Sequence, residues 1–168
     1  MTRAQQEALS RTALGVFRLN GQFLAVSEKL AAPAGLTAAR WQVLGAVLTE
    51  PLPVAGIARV MGITRQSVQR VADLLVRDGL AAYGPNPAHR RAKLLTPTEA
   101  GRAAIRHIEP GHADLAARLT RELGGQEAFE ETVRVLERLS KAMEALEAVD
   151  AVEALEAVEA GGAAGGED

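Results

Sequence analysis

The run from Val54 to Gly101 constrains the fold of this chain more than any other segment. It predicts a short helix ending at Gly62, a tight turn, and a second helix that begins after Thr64. A hairpin with a Gly-Pro-Asn-Pro turn follows, and the basic residues near its tip are Arg90, Arg91 and Lys93. In such an arrangement the second helix enters the DNA major groove, and the basic hairpin reaches the neighbouring backbone or minor groove.

The charge of the chain is distributed unevenly. The net charge is −2, which is the wrong sign for a DNA-binding protein. However, residues 142–168 contain eight acids and no base, whereas Val54–Gly101 carries seven bases against three acids. The segment predicted to face DNA is therefore basic, and the acidic excess lies in the C-terminal tail.

Composition excludes several classes of protein. The 168 residues are 48% hydrophobic but only 3% aromatic, and Ala and Leu fill the helical pattern, which favours an all-α class. The chain contains no cysteine, no apolar run of roughly 20 residues and no signal-peptide pattern, so we expect a cytoplasmic protein that does not contact membranes.

His107 and His112 are five residues apart and do not share a helix face, so no metal site is expected. No catalytic constellation or cofactor motif stands out, which argues against an enzyme.

Helical periodicity and capping residues divide the rest of the chain. The predicted class is all-α with a small β-hairpin wing. The predicted elements are helices over Gln5–Ala32, Ala38–Glu50, Val54–Val60, Arg65–Arg77, Pro97–Leu123 and from Gln126, with strands at Leu80–Tyr83 and Ala92–Leu95. Thr96 is the expected N-cap of the helix that begins at Pro97.

The tail contains a nine-residue near-repeat, EALEAVDAV followed by EALEAVEAG. Its composition predicts a fraying helical extension, and the glycines of Gly161–Asp168 predict a disordered end. The pattern does not indicate what the acidic repeat does.

Three segments resemble the MarR family of transcriptional regulators. Leu36–Leu44 is similar to the second helix of that family, and Ile63–Arg70 is similar to its recognition helix. Asn86–Leu94, followed by Thr98-Glu99-Ala100-Gly101, resembles its wing and the start of the next helix. The resemblance covers about residues 5–146, and the chain departs from it at His89, where many members carry an Asp that helps to fix the wing, and at Pro97.

The resemblance implies a homodimer that binds a pseudo-palindromic operator in double-stranded DNA. The expected function is that of a repressor that responds to a small-molecule effector. The implied domains are residues 1–35 and 102–148 for dimerisation and 36–101 for the winged helix-turn-helix. Composition adds residues 149–168 as an acidic tail, and the acidic repeat has no counterpart in the family pattern. The sequence supports the dimer independently, because both terminal helices carry more apolar surface than a small winged domain covers.

The candidate DNA-binding residues are Thr64, Arg65, Gln66, Ser67, Gln69, Arg70, Arg90, Arg91 and Lys93. Gln pairs with adenine and Arg with guanine in the major groove, but a phosphate contact or plain solvent exposure is an equal alternative for each helix residue. Thr64 and Ser67 fit phosphate contact or helix capping better than base reading. Arg90, Arg91 and Lys93 supply the wing contact; the alternative for one of them, with Arg91 favoured, is an ion pair with Asp73 that braces the wing. Arg40 and Arg59 fit flanking phosphates and ordinary surface positions equally well.

Two further alternatives stay open. Phe17 and Trp41 are most simply core residues, but the resemblance implies a ligand crevice near the dimer helices in which they could lie. The second functional class is a winged-helix protein-interaction module that does not read DNA specifically, with the acidic tail as its docking element.

Overall fold

The structure is a computed structural model that describes the backbone of residues 2–163 and the side chains of residues 2–149. Over this range the chain has the predicted class, with six α-helices, a short 3-10 helix and three strands. The helices are α1 (Arg3–Ala31), α2 (Ala38–Ala46), α3 (Val54–Met61), α4 (Arg65–Arg77), α5 (Glu99–Glu122) and α6 (Gln126–Ala163); the strands are β1 (Leu52–Pro53), β2 (Ala81–Gly84) and β3 (Leu94–Pro97).

Residues up to Asp114 form one compact unit, and residues from Leu115 onward form a second. The first unit contains a hydrophobic core to which α2, α3, α4 and β3 each contribute. Its largest fully buried side chains are Leu44, Ile57, Leu75, Leu95, Val43, Val47 and Val68. Helix α4 buries residues at spacings of three and four, so the polar residues of its first turns are turned to solvent.

The turn between α3 and α4 is set by Gly62, which has a left-handed φ of 62°. The amide of Ile63 donates to the carbonyl of Ala58 at 3.1 Å, which closes α3. Thr64 then accepts from the amide of Ser67 at 3.2 Å and so caps α4 at the predicted residue. The two helices therefore form the helix-turn-helix that the sequence predicts.

The three strands form an antiparallel sheet in the order β1-β3-β2, with Tyr83 opposite Leu95. The hairpin strands lie one or two residues later than predicted, and the two-residue strand β1 was not predicted at all. The nine residues between β2 and β3 form the wing tip. There the side-chain oxygen of Asn86 accepts from the amide of Ala88 at 3.0 Å, and its carbonyl accepts from the amide of His89 at 3.2 Å.

The predicted start of α5 is wrong. Thr96 and Pro97 belong to β3, and Pro97 lies opposite Ala81 in the sheet. The cap is Thr98 instead, whose hydroxyl accepts from the amide of Gly101 at 3.2 Å and donates to the carbonyl of Gly79 at 2.7 Å. Strand pairing holds the chain extended through Pro97, so the helix begins only where the ladder ends.

Three other helix ends differ from prediction. Helix α1 gives way to the 3-10 turn Ala32–Ala34, and α2 ends at Ala46 instead of Glu50 because i to i+3 bonds tighten the chain after it. Helix α6 continues through the acidic near-repeat to Ala163, so the first three residues of the segment predicted to be disordered are helical. The rest of that segment, residues 164–168, lies outside the described residues.

The core prediction is wrong for Phe17, which is 73% exposed on α1. Trp41 is partly buried against the core, and its ring meets that of His112 edge-on with centroids 5.6 Å apart.

Large apolar residues are exposed in each unit: Leu9, Leu14, Val16, Phe17, Leu19, Phe23 and Leu24 on α1, and Val133, Val135, Leu136, Met143, Leu146 and Val149 on α6. Among the described residues, no helix is long and apolar enough to cross a membrane, and no three acidic or histidine side chains cluster as metal ligands would.

Candidate nucleic-acid interface

The first turns of α4 present a polar face. Arg65, Gln66, Gln69 and Arg70 are exposed there, while Val68 is fully buried and anchors the helix to the core. Because the buried residues fix the rotation of the helix about its axis, these four residues lie on its solvent-exposed face. This face is the part of α4 that can enter a groove of DNA.

Thr64 and Ser67 are both occupied at the start of α4. The Thr64 hydroxyl accepts from the amide of Ser67 and donates to the Ser67 hydroxyl at 2.9 Å. Thr64 is therefore the cap of α4, and the Ser67 hydroxyl accepts a hydrogen bond from it. A phosphate contact by either residue stays a prediction.

A groove of about 620 Å³ joins the helix face to the wing. It is lined by residues of α4, by Tyr83 and wing residues, and by Pro53 with the start of α3. The predicted residues that meet in this groove are Arg65, Gln66, Gln69, Arg91 and Lys93. Arg90 lies with Lys93 on a second hollow beside the wing tip, whereas Arg70 lines neither. The groove thus combines three cations with a glutamine pair, a lining suited to a nucleic-acid backbone with base edges beside it.

The predicted ion pair between Arg91 and Asp73 is replaced by another contact. One carboxylate oxygen of Asp73 accepts from the Tyr83 hydroxyl and from the Gln69 side-chain amide, each at 2.8 Å. The same amide nitrogen lies 2.9 Å from the Tyr83 oxygen. None of the ion pairs in the described part of the chain includes Arg91. Asp73 therefore pairs with Tyr83 of β2 and Gln69 of its own helix.

Tyr83 is the residue of this site that sequence reasoning missed. Partial burial and the neighbouring Asp73 carboxylate raise the pKa of its phenol to about 12, so it keeps its proton at neutral pH. The sequence carried one sign of this contact. Tyr83 is an aromatic residue in the strand that follows α4, and Gln69 and Asp73 are polar residues one turn apart on that helix. Only the register of β2 shows that Tyr83 faces those side chains.

Arg40 forms an ion pair with Asp78 within the protein. Its guanidinium donates to Asp78 at 2.6 Å, which ties α2 to the end of α4, and only 19% of its side chain is exposed. A hydrogen bond from Arg77, with a further one from Arg40, lowers the pKa of Asp78. Arg59 stays exposed on α3, where both a phosphate contact and a plain surface position remain compatible with its place.

Comparison of the sequence with known proteins identifies related chains. The sequence model of the MarR family matches residues 34–92, which run from the end of α1 into the wing. An uncharacterized protein of Mycobacterium tuberculosis is 44% identical over 102 residues, which cover 61% of this chain and 71% of that protein. The region of likeness therefore extends beyond the helix-turn-helix.

Solved structures show the same fold. A mutant of Escherichia coli MarR complexed with operator DNA matches with a TM-score of 0.67 and 20% identity, covering 82% of this chain and 99% of that one. CouR from Rhodococcus jostii, bound to p-coumaroyl-CoA, matches with a TM-score of 0.64 and 23% identity, covering 76% and 89%. These likenesses show the fold, and the sequence matches show that the chain belongs to the MarR family of transcription regulators.

Proposed function

We propose that this chain is a dimeric, sequence-specific DNA-binding regulator that represses transcription and releases DNA when a small-molecule effector binds. The observation that carries the proposal is the groove in which the exposed face of α4 meets the cationic side of the wing. A solved relative of the same fold is complexed with operator DNA, which supports duplex DNA as the partner.

Base reading and backbone binding are assigned to different parts of this surface. Gln66 and Arg70 are assigned to base edges in the major groove, and their exposure on α4 supports this. Arg91 and Lys93, exposed on the wing, supply phosphate or minor-groove contacts that position the protein without selecting sequence. Arg65 and Arg90 carry charge to the same surface and add to its affinity for DNA.

Dimerisation is inferred from the apolar faces exposed in each unit. On α1, Leu9, Phe17 and Leu24 recur at spacings of eight and seven residues and form one stripe, and each is at least 41% exposed. A monomer rarely leaves such a contiguous stripe in water. A two-fold dimer would carry two α4 helices about 34 Å apart, one turn of DNA, and would read a pseudo-palindrome.

An effector would act by favouring a dimer geometry that fits DNA less well. CouR, the relative bound to p-coumaroyl-CoA, supports a small molecule as the ligand class. Phe17 and Trp41 remain the candidate contacts, because both offer aromatic surface that the core of a single chain does not fully cover. A differential affinity of about 1–3 kcal/mol between the two geometries is sufficient for such regulation.

Two alanine variants test the assignment of the DNA face. Arg70→Ala should lower discrimination between the operator and a scrambled duplex by about 1–3 kcal/mol, because a bidentate base contact is lost. Arg91→Ala should weaken binding to both duplexes alike and reduce the salt slope by about 1, as expected for one lost phosphate contact. Fluorescence anisotropy at two salt concentrations, with duplex from the upstream region of its own gene, measures both effects.

The same titration separates the proposal from its rival. Tight binding to the upstream duplex alone, at one dimer per site, supports specific reading, and a transcription assay with that duplex then tests repression. Weak and equal binding to both duplexes, followed by failure to select any sequence from random DNA, would favour a winged-helix module that docks a protein. Wild-type behaviour of both alanine variants would show that the DNA face is misassigned.

Deleting residues 149–168 is expected to tighten DNA binding at low salt. The deletion removes six acids and no base, which changes the net charge of the chain from −2 to +4. Because repulsion between the tail and DNA is screened by salt, the gain should be several-fold at about 50 mM salt and should shrink at about 200 mM. The control keeps the length of the chain and replaces Glu153, Glu156 and Glu159 with Gln, which should reproduce part of the gain. Unchanged affinity at low salt in both variants would mean that the tail has no influence on DNA binding.

A further inference from the structure

Gln69, Asp73 and Tyr83 connect the recognition helix to the base of the wing. Gln69 and Asp73 lie one helical turn apart on α4, and Tyr83 projects from β2. Their three polar atoms form a nearly equilateral triangle with sides of 2.8, 2.8 and 2.9 Å. Two secondary-structure elements that both face the candidate DNA surface are thus joined by one small hydrogen-bonded cluster.

The chemistry of the triangle fixes the orientation of the Gln69 amide. An ionised carboxylate only accepts hydrogen bonds, so the side chain of Gln69 must turn its nitrogen, and not its carbonyl oxygen, towards Asp73. Tyr83 has a single proton, which it donates to Asp73, so its oxygen is left to accept from Gln69. The phenol carries this proton at neutral pH even at its ordinary pKa of about 10, and the raised pKa of about 12 keeps it a donor in more alkaline solution as well. The two ends of the amide are therefore not interchangeable in this protein.

The fixed amide retains groups that can read a base. The two N–H bonds of an amide diverge by about 120°, so only one of them can point into so small a triangle. The second N–H and the carbonyl oxygen are not used by any hydrogen bond described for Gln69. An amide with one N–H donor and one acceptor is the pattern that glutamine presents to the edge of adenine.

We propose that Tyr83 is a positioning residue for DNA reading, which acts on Gln69 both directly and through Asp73 to hold its amide in one orientation before DNA binds. This inference rests on the proposed DNA-binding function. Without the tether, the side chain of Gln69 would have to lose its rotational freedom on binding, which weakens a specific contact by about 2- to 10-fold. Because Tyr83 makes this contact from β2, the same tether aligns the base of the wing with α4.

Tyr83→Phe tests the proposal, since it removes the hydroxyl and keeps the ring. The base pair that Gln69 reads is located first. Each base pair of the operator is substituted in turn, and the relevant position is the one at which wild type loses affinity but Gln69→Ala does not. At that position, Tyr83→Phe should lower discrimination by about 2- to 10-fold. Its affinity for scrambled duplex and its salt slope should stay at the wild-type values, because no phosphate contact changes. The double variant Tyr83→Phe with Gln69→Ala should discriminate no worse than Gln69→Ala alone.

A second measurement does not need DNA. In the free protein, Tyr83→Phe should shift the side-chain amide NMR signals of Gln69 towards those of an exposed glutamine, whereas Gln66 serves as the unaffected control. Asp73→Asn should act on Gln69 in the same direction, because an asparagine offers both a donor and an acceptor and no longer dictates the orientation of the amide.

Three outcomes would overturn the proposal. Wild-type discrimination in Tyr83→Phe would show that the tether does not position Gln69. An equal loss of affinity for operator and scrambled duplexes would indicate a purely structural role. Additive losses of discrimination in the double variant Tyr83→Phe with Gln69→Ala would indicate the same. If Gln69→Ala and wild type already bind every duplex equally, the proposed function itself fails, and the inference fails with it.

Discussion

Gly101→Ala is expected to lower the free energy of unfolding by about 3 kcal/mol or more. A Cβ atom at this position would overlap the carbonyl oxygen of Leu80 and would approach Leu44 Cδ2 to 3.4 Å. The carbonyl belongs to the backbone and also accepts from the amide of Thr98 at 3.0 Å, so it cannot move aside without breaking that bond. Overpacking against a fixed backbone costs at the upper end of the range for core substitutions.

The matched control is Gly45→Ala. Gly45 is also inside a helix of the first unit, but a Cβ atom there would meet nothing within 4 Å. Alanine favours a helix over glycine by about 0.5–1 kcal/mol, so this variant should be slightly more stable than wild type. Thermal and urea unfolding, at one fixed protein concentration, should therefore shift in opposite directions for the two variants. Small shifts of the same sign would show that the start of α5 does not need the close approach to Leu80.

Helix α4 could be predicted to the residue because both of its ends carry local signals. Thr64 caps its start, and Gly79, with φ 72°, lies immediately beyond its C-cap. The buried face followed from the periodicity of the apolar residues, which depends only on the sequence within the helix. Where sequence and structure agree in this way, local and tertiary preferences favour the same conformation.

The elements that prediction missed depend on contacts between distant segments. Thr96-Pro97 has the local pattern of a helix start, but pairing with β2 keeps these residues extended. Strand β1 is two residues long and is defined only by its antiparallel pairing with β3. The partner of Asp73 depends on the face of β2 from which Tyr83 projects, and a shift of one residue in the register would reverse that face. Such features cannot be derived from the spacing of residues along the chain.

Phe17 illustrates a different limit of sequence reasoning. Its place in the apolar pattern of α1 is the same whether it packs in the core of its own chain or against another chain. The structure excludes the first possibility, because Phe17 is 73% exposed within a single chain. Apolar periodicity identifies a face that must be covered, but it does not identify what covers it.

Phe17→Glu is accordingly expected to prevent dimerisation and to weaken operator binding by at least about 100-fold. The substitution places a charge in the middle of the apolar stripe on α1, where a partner chain would have to desolvate it. A monomer binds only one half-site, and losing the linked second contact removes about two orders of magnitude or more of affinity. Light scattering after size-exclusion chromatography measures the oligomeric state, and anisotropy with operator duplex measures the affinity.

Gln22→Glu is the control, because it makes the same change in formal charge on the same helix. Gln22 is exposed and lies about 140° around α1 from Phe17 at 100° per residue. This variant should stay dimeric and bind the operator nearly as well as wild type. Circular dichroism should show helical content close to wild type in both variants, since neither side chain belongs to the core of a single chain. A dimeric Phe17→Glu protein with wild-type affinity would place the interface elsewhere, whereas loss of dimer in both variants would mean that added charge anywhere on α1 disrupts it.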